Sequence, residues 1–292
     1  MKDKRDKHMR RLWMMAMAML FILLPISSAL ADEGGVVPTV QAENKITVLA
    51  YHHLEPQATG KHLTNSAILP IEEFNRHMKY LADNGYHTLS LDELLEFLAG
   101  RYEPPAHSVL ITFDDGYESN YQYAFPVLAK YNFQAVIFVI GELADESART
   151  VDTHTGEVVP FLKHVTNYSI SSMLRTGFLE IGSHTYGNHR YIGDSPALAV
   201  LTHEEIKADL SHLDDTLTSL DIPKPRALAY PYGVSSPNVI AAARSLGYTL
   251  GFTVVPGYVR PGDDPMLLNR FSIKTGDDSQ FISIVNGTWT NS

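Results

Sequence analysis

From Ile46 onward, short apolar runs alternate with amphipathic helical patterns down to the end of the chain. Strands separated by helices cannot pair as hairpins. They pair in parallel, with the helices as crossovers on the outside. The expected strands are Ile46–Tyr51, His87–Ser90, Val109–Phe113, Ala135–Ile140, Leu179–Ser183, Ala227–Tyr230, Thr249–Thr253 and Leu268–Ile273. Between them, Ile71, Phe74, Met78 and Leu81 share one helical face, with Gly85 as the stop. Thr202 and Glu205 form a capping box ahead of Ile206, Leu210, Leu213 and Leu217. Ser236-Pro237 opens a helix that Gly247 closes. The alternation predicts an α/β fold, a parallel barrel, which at about 250 residues fits a chain of 292. No internal repeat interrupts it.

The chain carries a net charge of −10 and no cysteine. The acidic balance excludes nucleic acid as a natural partner. The missing cysteines exclude disulfides, thiolate metal sites and a cysteine nucleophile. The N-terminal segment reads as an address. Six Lys/Arg and two acids within residues 1–11 precede an apolar run from Leu12 to Ile26, which ends in Ala29-Leu30-Ala31. That pattern predicts a signal peptide over 1–31, with an uncleaved membrane anchor as the alternative. Either one places the folded part outside the cytoplasmic membrane, attached to the cell surface if the anchor is kept. Residues 32–45 read as a linker, 46–292 as the catalytic domain, and Glu142–Tyr168 as a polar insertion.

Four expected strands end in polar residues on the face where parallel barrels build their sites. They lead into His52-His53, Asp114-Asp115-Gly116, His184 with His189, and Pro231-Tyr232-Gly233. Adjacent strand residues point to opposite faces, so Asp114 and Asp115 enter one site only if the strand breaks there. Gly116 permits that break; a solvated Asp-Gly turn is the bland reading. The pair does not suit a glycosidase, whose carboxylates flank a bond about 5–10 Å apart. His184 and His189 are either hydrogen-bonded loop histidines or metal ligands. With one carboxylate they would make a three-ligand site suited to catalytic zinc or to non-haem iron(II). His154, His164, His203 and His212 read as surface residues.

Thr112-Phe113-Asp114-Asp115-Gly116, Ser183-His184-Thr185-Tyr186 with His189, and Tyr230-Pro231-Tyr232-Gly233 together resemble the polysaccharide deacetylase family, carbohydrate esterase family 4. The resemblance implies a distorted, incomplete (β/α) barrel, a divalent metal (zinc first, with cobalt, nickel or iron as alternatives) and removal of acetyl groups from a polysaccharide substrate. It makes Asp114 the general base, Asp115, His184 and His189 the metal ligands, and the Tyr232 backbone N–H an oxyanion donor.

Three departures stand out. The histidine pair is one residue longer than the common His-Thr-x-x-His. Ala229 replaces the usual arginine. The late Leu-His is absent, and the tail reads Ser283-Ile284-Val285-Asn286. Together they resemble the intercellular-adhesin branch, which acts on poly-β-1,6-N-acetylglucosamine and carries a Tyr-His near the mature N-terminus. Tyr51-His52 matches it, so His52 is the expected general acid, with His53 second. Arg270, on the last expected strand, is the expected substitute partner for Asp114. Tyr117 and Tyr186 are expected to stack on sugar rings. Peptidoglycan and chitin-type chains remain alternative substrates. Outside this reading stand a catalytically weak carbohydrate-binding member of the fold and an iron(II) oxygenase. The strand–helix alternation disfavours the oxygenase.

Overall fold

The computed structural model describes residues 44–59, 62, 65, 67–144, 162–276 and 278–290. The expected signal peptide, nearly all of the linker and the greater part of the 142–168 insertion lie outside these residues. The described residues belong to one compact unit, Ala42–Ser292. No helix among them is long and apolar enough to cross a membrane.

The strands among the described residues are β1 (Thr47–Tyr51), β2 (His53–Glu55), β3 (Ile68–Pro70), β4 (His87–Thr88), β5 (Ser108–Phe113), β6 (Ala135–Val139), β7 (Leu179–Ser183), β8 (Tyr191–Ile192), β9 (Ser195–Pro196), β10 (Ala227–Ala229), β11 (Leu250–Phe252) and β12 (Phe271–Ser272). The main sheet is parallel and runs β11-β10-β7-β6-β5-β1-β12. All eight expected strands lie in it. Two departures from a regular barrel explain its distortion. Along one edge β5 pairs with β1 from Val109 to Phe113. Its other edge is shared: β4 takes Ser108–Val109 and β6 takes Thr112–Phe113. At the far end, β12 does not pair with β11. The chain just before it does, through the Phe252–Leu268 bridge and a 2.8 Å bond from the Thr253 N–H to the Leu268 carbonyl. The expected Leu268–Ile273 strand is thus divided between two neighbours, and only Phe271–Ser272 is regular.

Strands covered on both faces read as nearly unbroken apolar runs. Inward-facing Val48, Leu110, Val136, Phe138, Ala229, Leu250 and Phe252 form one cluster. The helix Leu91–Leu98 adds Leu91, Leu94, Phe97 and Leu98 to it, plugging the end where the strands begin. Its N-cap Ser90 makes a full capping box with Glu93. Outward-facing Leu49, Tyr51, Ile111, Phe113, Ile137 and Ile181 pack on Phe74 and Met78 of the helix Ile71–Asp83, and on Leu213 and Leu217 of the helix His203–Ser219. Leu228 and Tyr230 pack on the Ile206 and Leu210 side of that second helix and on Val239 and Ala242 of the helix Pro237–Ser245. The strand C-termini therefore stand on a filled barrel and converge on one rim.

Candidate active site

Backbone bonds between neighbouring strands fix where each polar residue leaves the sheet. The Asp114 N–H donates to the Tyr51 carbonyl, the His184 N–H to Val139 and the Tyr230 N–H to Phe252, at 2.9, 2.9 and 3.0 Å. The chain then turns sharply. Asp115 and Gly116 take φ of 68° and 70°, Thr185 takes 70°, and Tyr232 takes 56°. The left-handed region is uncommon for Asp and Tyr and strained for a β-branched Thr. Strain of this kind costs on the order of 1–3 kcal/mol per residue and collects at functional sites. The break expected after Asp114 falls on Asp115 itself, which brings both carboxylates to the same rim.

Asp114 is buried and paired. Its Oδ1 and Oδ2 accept from the two terminal nitrogens of Arg270 at 2.7 Å each. The Arg270 Nε donates to the Thr253 carbonyl at 3.0 Å, and a terminal nitrogen reaches the Thr112 hydroxyl at 3.2 Å. Arg270 is 1 % exposed, with Phe138 and Phe252 rings 5.7 and 5.8 Å from its guanidinium carbon. Burial pushes the Asp114 carboxyl up. Arg270, with the histidines 184 and 52, outweighs that and holds it below the usual range.

Asp115, His184 and His189 place their donor atoms within 4.8 Å of one another. Asp115 Oδ1 is buried and makes no hydrogen bond. His184 Nε2 faces it at 3.3 Å and His189 Nε2 at 3.4 Å. His184 Nδ1 lies 2.8 Å from the Ala229 carbonyl, which only accepts, so the proton sits on Nδ1. In its neutral form His184 therefore points the Nε2 lone pair at a carboxylate oxygen that has no hydrogen-bond partner. A divalent cation bound between them resolves that conflict, and the N/O donor set suits one. Without a cation, the same conflict shows as titration. Burial lowers the His184 pKa but the two aspartates raise it on balance, and burial lowers that of His189 to about 4.

Tyr232 lines the opposite wall. Its hydroxyl lies 3.3 Å from His189 Nδ1, and its ring packs edge-on to Tyr191 at 4.8 Å. His52 sits at the end of β1, half-buried, with its carbonyl held by Asn120 Nδ2 at 2.8 Å. Its charge acts on both Asp114 and Asp115. His53 faces elsewhere: its Nδ1 lies 3.1 Å from the Ser119 hydroxyl, and its ring packs against Tyr117.

Two expectations are corrected, for Tyr117 and His164. Tyr117 is buried between the His53 and His164 rings, at 5.1 and 4.9 Å, which leaves no ring face for a sugar. Tyr186 is half-buried, with one ring face stacked on His212 at 3.7 Å. His164 is buried, because residues 163–165 pair with the 116–118 turn. One residue was not foreseen. Asp209, on the helix His203–Ser219, accepts the N–H groups of Tyr186 and Gly187 at 2.8 Å each, bracing the lengthened loop between the two histidines. Its signal is positional: Asp209 falls on the stripe of Ile206, Leu210 and Leu213, where an apolar residue is expected.

The sequence model described as Polysaccharide deacetylase matches residues 101–251, spanning β5 to β11 and every motif above except His52 and Arg270. The chain belongs to the polysaccharide deacetylase family. It is 31 % identical over 232 residues to YxkH of Bacillus subtilis (strain 168), named as a candidate polysaccharide deacetylase; the match covers 80 % of this chain and 72 % of that one. It is 25 % identical to a poly-β-1,6-N-acetyl-D-glucosamine N-deacetylase of Staphylococcus aureus (strain N315), over 90 % of this chain and 92 % of that one. The Escherichia coli (strain K12) protein of the same name is 24 % identical, and the chain spans about a third of its length. Among solved structures, IcaB from Ammonifex degensii superposes with a TM-score of 0.69 and 27 % identity, covering 84 % of this chain and 97 % of that one. The barrel, with its parallel sheet curled and incompletely closed, is the family's fold. As a family member the chain is a polysaccharide deacetylase.

Proposed function

We propose that this deacetylase removes N-acetyl groups from N-acetylglucosamine polymers, poly-β-1,6-N-acetylglucosamine first, and that it acts outside the cell, secreted or surface-attached. The chemistry rests on one observation: a buried, unpartnered Asp115 oxygen faced by two imidazole nitrogens, beside an Arg-held Asp114. The substrate is favoured by the full-length similarity to the staphylococcal relative. The location is favoured by the signal-like segment at 1–31.

Asp115, His184 and His189 are the residues that would hold the ion, with zinc the first choice. A bound divalent ion supplies Lewis-acid polarisation of the acetyl carbonyl and acidifies water. The protein's own groups do the rest. Asp114, kept ionised by Arg270, accepts a proton from the attacking water at a carboxylate oxygen. Arg270 spans both oxygens and so fixes the carboxylate plane. The Tyr232 turn aims backbone at the developing oxyanion, where a fixed N–H is worth most. His52, on the neighbouring strand end, donates a proton to the leaving amine. The products are acetate and a free glucosamine amine. That amine is cationic at neutral pH and is tolerated by an acidic protein.

The test is acetate release from β-1,6-linked N-acetylglucosamine oligomers by metal-stripped, zinc- or cobalt-reloaded and Asp114→Asn protein. Release that requires metal and is abolished by Asp114→Asn supports the reading. Release only from chitin or peptidoglycan oligomers reassigns the substrate. Polymer binding without acetate release from any of them overturns the catalytic reading.

A further inference from the structure

On the outer side of the barrel, between the helices Ile71–Asp83 and Asp278–Val285, lies a second group of donor atoms that the deacetylase chemistry does not use. Glu73 and His77 stand one turn apart on the first helix, and Asp278 opens the second. Their donor atoms lie within 4.8 Å of one another. We propose that Glu73, His77 and Asp278 form a second, structural site for a divalent transition ion, zinc being the best match to one imidazole and two carboxylates.

His77 carries the inference. It is 2 % exposed, and its Nε2 has no hydrogen-bond partner. The nearest acceptors, Asp278 Oδ1 at 3.6 Å and Glu73 Oε1 at 4.0 Å, are too far for hydrogen bonds. Ligand atoms sharing a zinc ion at about 2.1 Å sit roughly 3–4 Å apart, so these separations suit a shared ion after small side-chain rotations. Nδ1 lies 3.3 Å from the Tyr51 hydroxyl, the kind of outer partner that orients a ligating imidazole. Phe281 stacks flat on the ring at 3.9 Å, which leaves the in-plane lone pair open.

The carboxylates are ordered by other contacts. Glu73 Oε1 accepts the Gly276 N–H at 3.1 Å, and Arg76 donates to both oxygens of Asp278 at 2.8 and 3.0 Å. Arg76 is half exposed and partly offsets the two negative charges. A cleft lined by Ser272 and Gln280 reaches the same group and offers water a path to any remaining coordination position. An ion here pins the helix Asp278–Val285 to the helix behind β1, the strand that leads into His52. The site is independent of the deacetylase reading.

The experiment is calorimetric titration of metal-stripped full-chain protein with zinc, after circular dichroism has shown each variant folded. Two equivalents are expected in the unsubstituted protein, one in His77→Gln and one in Glu73→Gln. In an Asp115→Asn, His184→Gln background, zinc is expected to raise the thermal midpoint by several degrees, as binding to the folded state alone does. Adding His77→Gln to that background is expected to remove the rise. A single equivalent that His77→Gln leaves in place, two equivalents retained in His77→Gln, or a midpoint that zinc does not move overturns the site.

Discussion

Arg270 and Asp114, 156 residues apart in the chain, meet inside the barrel through two hydrogen bonds of 2.7 Å each. The pair is held from below: the Thr112 hydroxyl that touches Arg270 itself donates to the Leu49 carbonyl at 2.8 Å. A fork of donors fixes both the charge and the plane of the carboxylate, which a single ammonium does not do. Arg270→Lys is therefore expected to lower acetate release about 100-fold. The sign of the pH effect follows from the opposing influences on Asp114. Burial raises its pKa and Arg270 lowers it. Weakening Arg270 lets the pKa rise, so the acid limb of the kcat/KM profile moves to higher pH. Arg270→Ala is expected to cost about 3–5 kcal/mol of stability by leaving a buried charge unpaired. A profile unshifted in the lysine variant would exclude Arg270 as the partner that tunes the base.

Chelation is the second test. The Asp115 oxygen and two imidazoles make a site whose groups are mutually repelling lone pairs until a cation or a proton joins them. Stripping the metal is expected to abolish acetate release, and zinc or cobalt to restore it. Asp115→Asn is expected to weaken cobalt binding by more than about 100-fold, exceeding the loss typical of an outer-shell change. Visible absorption of the cobalt protein reads this without reference to turnover. Equal cobalt affinity in the two proteins would remove Asp115 from the ligand set.

Asp209 gives a prediction that sequence pattern did not. The loop from Thr185 to His189 is one residue longer than the family's common form, and two of its amides point at this carboxylate. Asp209→Ala is expected to cut cobalt affinity about 10–100-fold and to broaden the cobalt spectrum. Asp209→Asn keeps an acceptor for one amide and should fall between. Identical spectra in all three proteins would reduce Asp209 to a packing role.

These cases show which parts of the molecule were readable in advance. Most of the eight sheet strands were readable because burial on both faces makes them largely apolar; β4, His87–Thr88, is the polar exception. Asp114, Asp115, His184 and His189 were readable because they sit in dense motifs where strands end. Short-range physics stops there. Tyr117 and His164 look like loop residues, and only the non-local pairing of 163–165 with the 116–118 turn buries them. The helix Leu91–Leu98 is legible too: Ser90 and Glu93 form a capping box in the sequence, and Leu91, Leu94 and Leu98 follow at helical spacing. Glu73 and His77 lie on the buried stripe of their own helix, but their third partner is about 200 residues away.

Buried histidine predicts how the fold responds to acid. His53 is enclosed by Ser119 and Tyr117. Its pKa falls from 6.5 to about 4, chiefly through burial, with His164 and His62 adding repulsion. In the unfolded chain the same imidazole takes a proton near 6.5. Between about pH 4 and 6.5 the unfolded state therefore binds more protons, and stability rises with pH. His53 contributes its full stabilisation above 6.5, and that contribution is lost as pH falls towards 4. One such group gives a slope of at most about 1.4 kcal/mol per pH unit. Replacing it with glutamine removes the titration and keeps a polar partner for Ser119. Urea denaturation of chelator-treated protein from pH 4.5 to 7 is expected to show a shallower loss of stability in His53→Gln than in the unsubstituted chain. His77, also lowered to about 4, supplies part of the slope that remains. Parallel curves for the two proteins would mean that His53 titrates alike in both states, and that its burial is relieved before the protein unfolds.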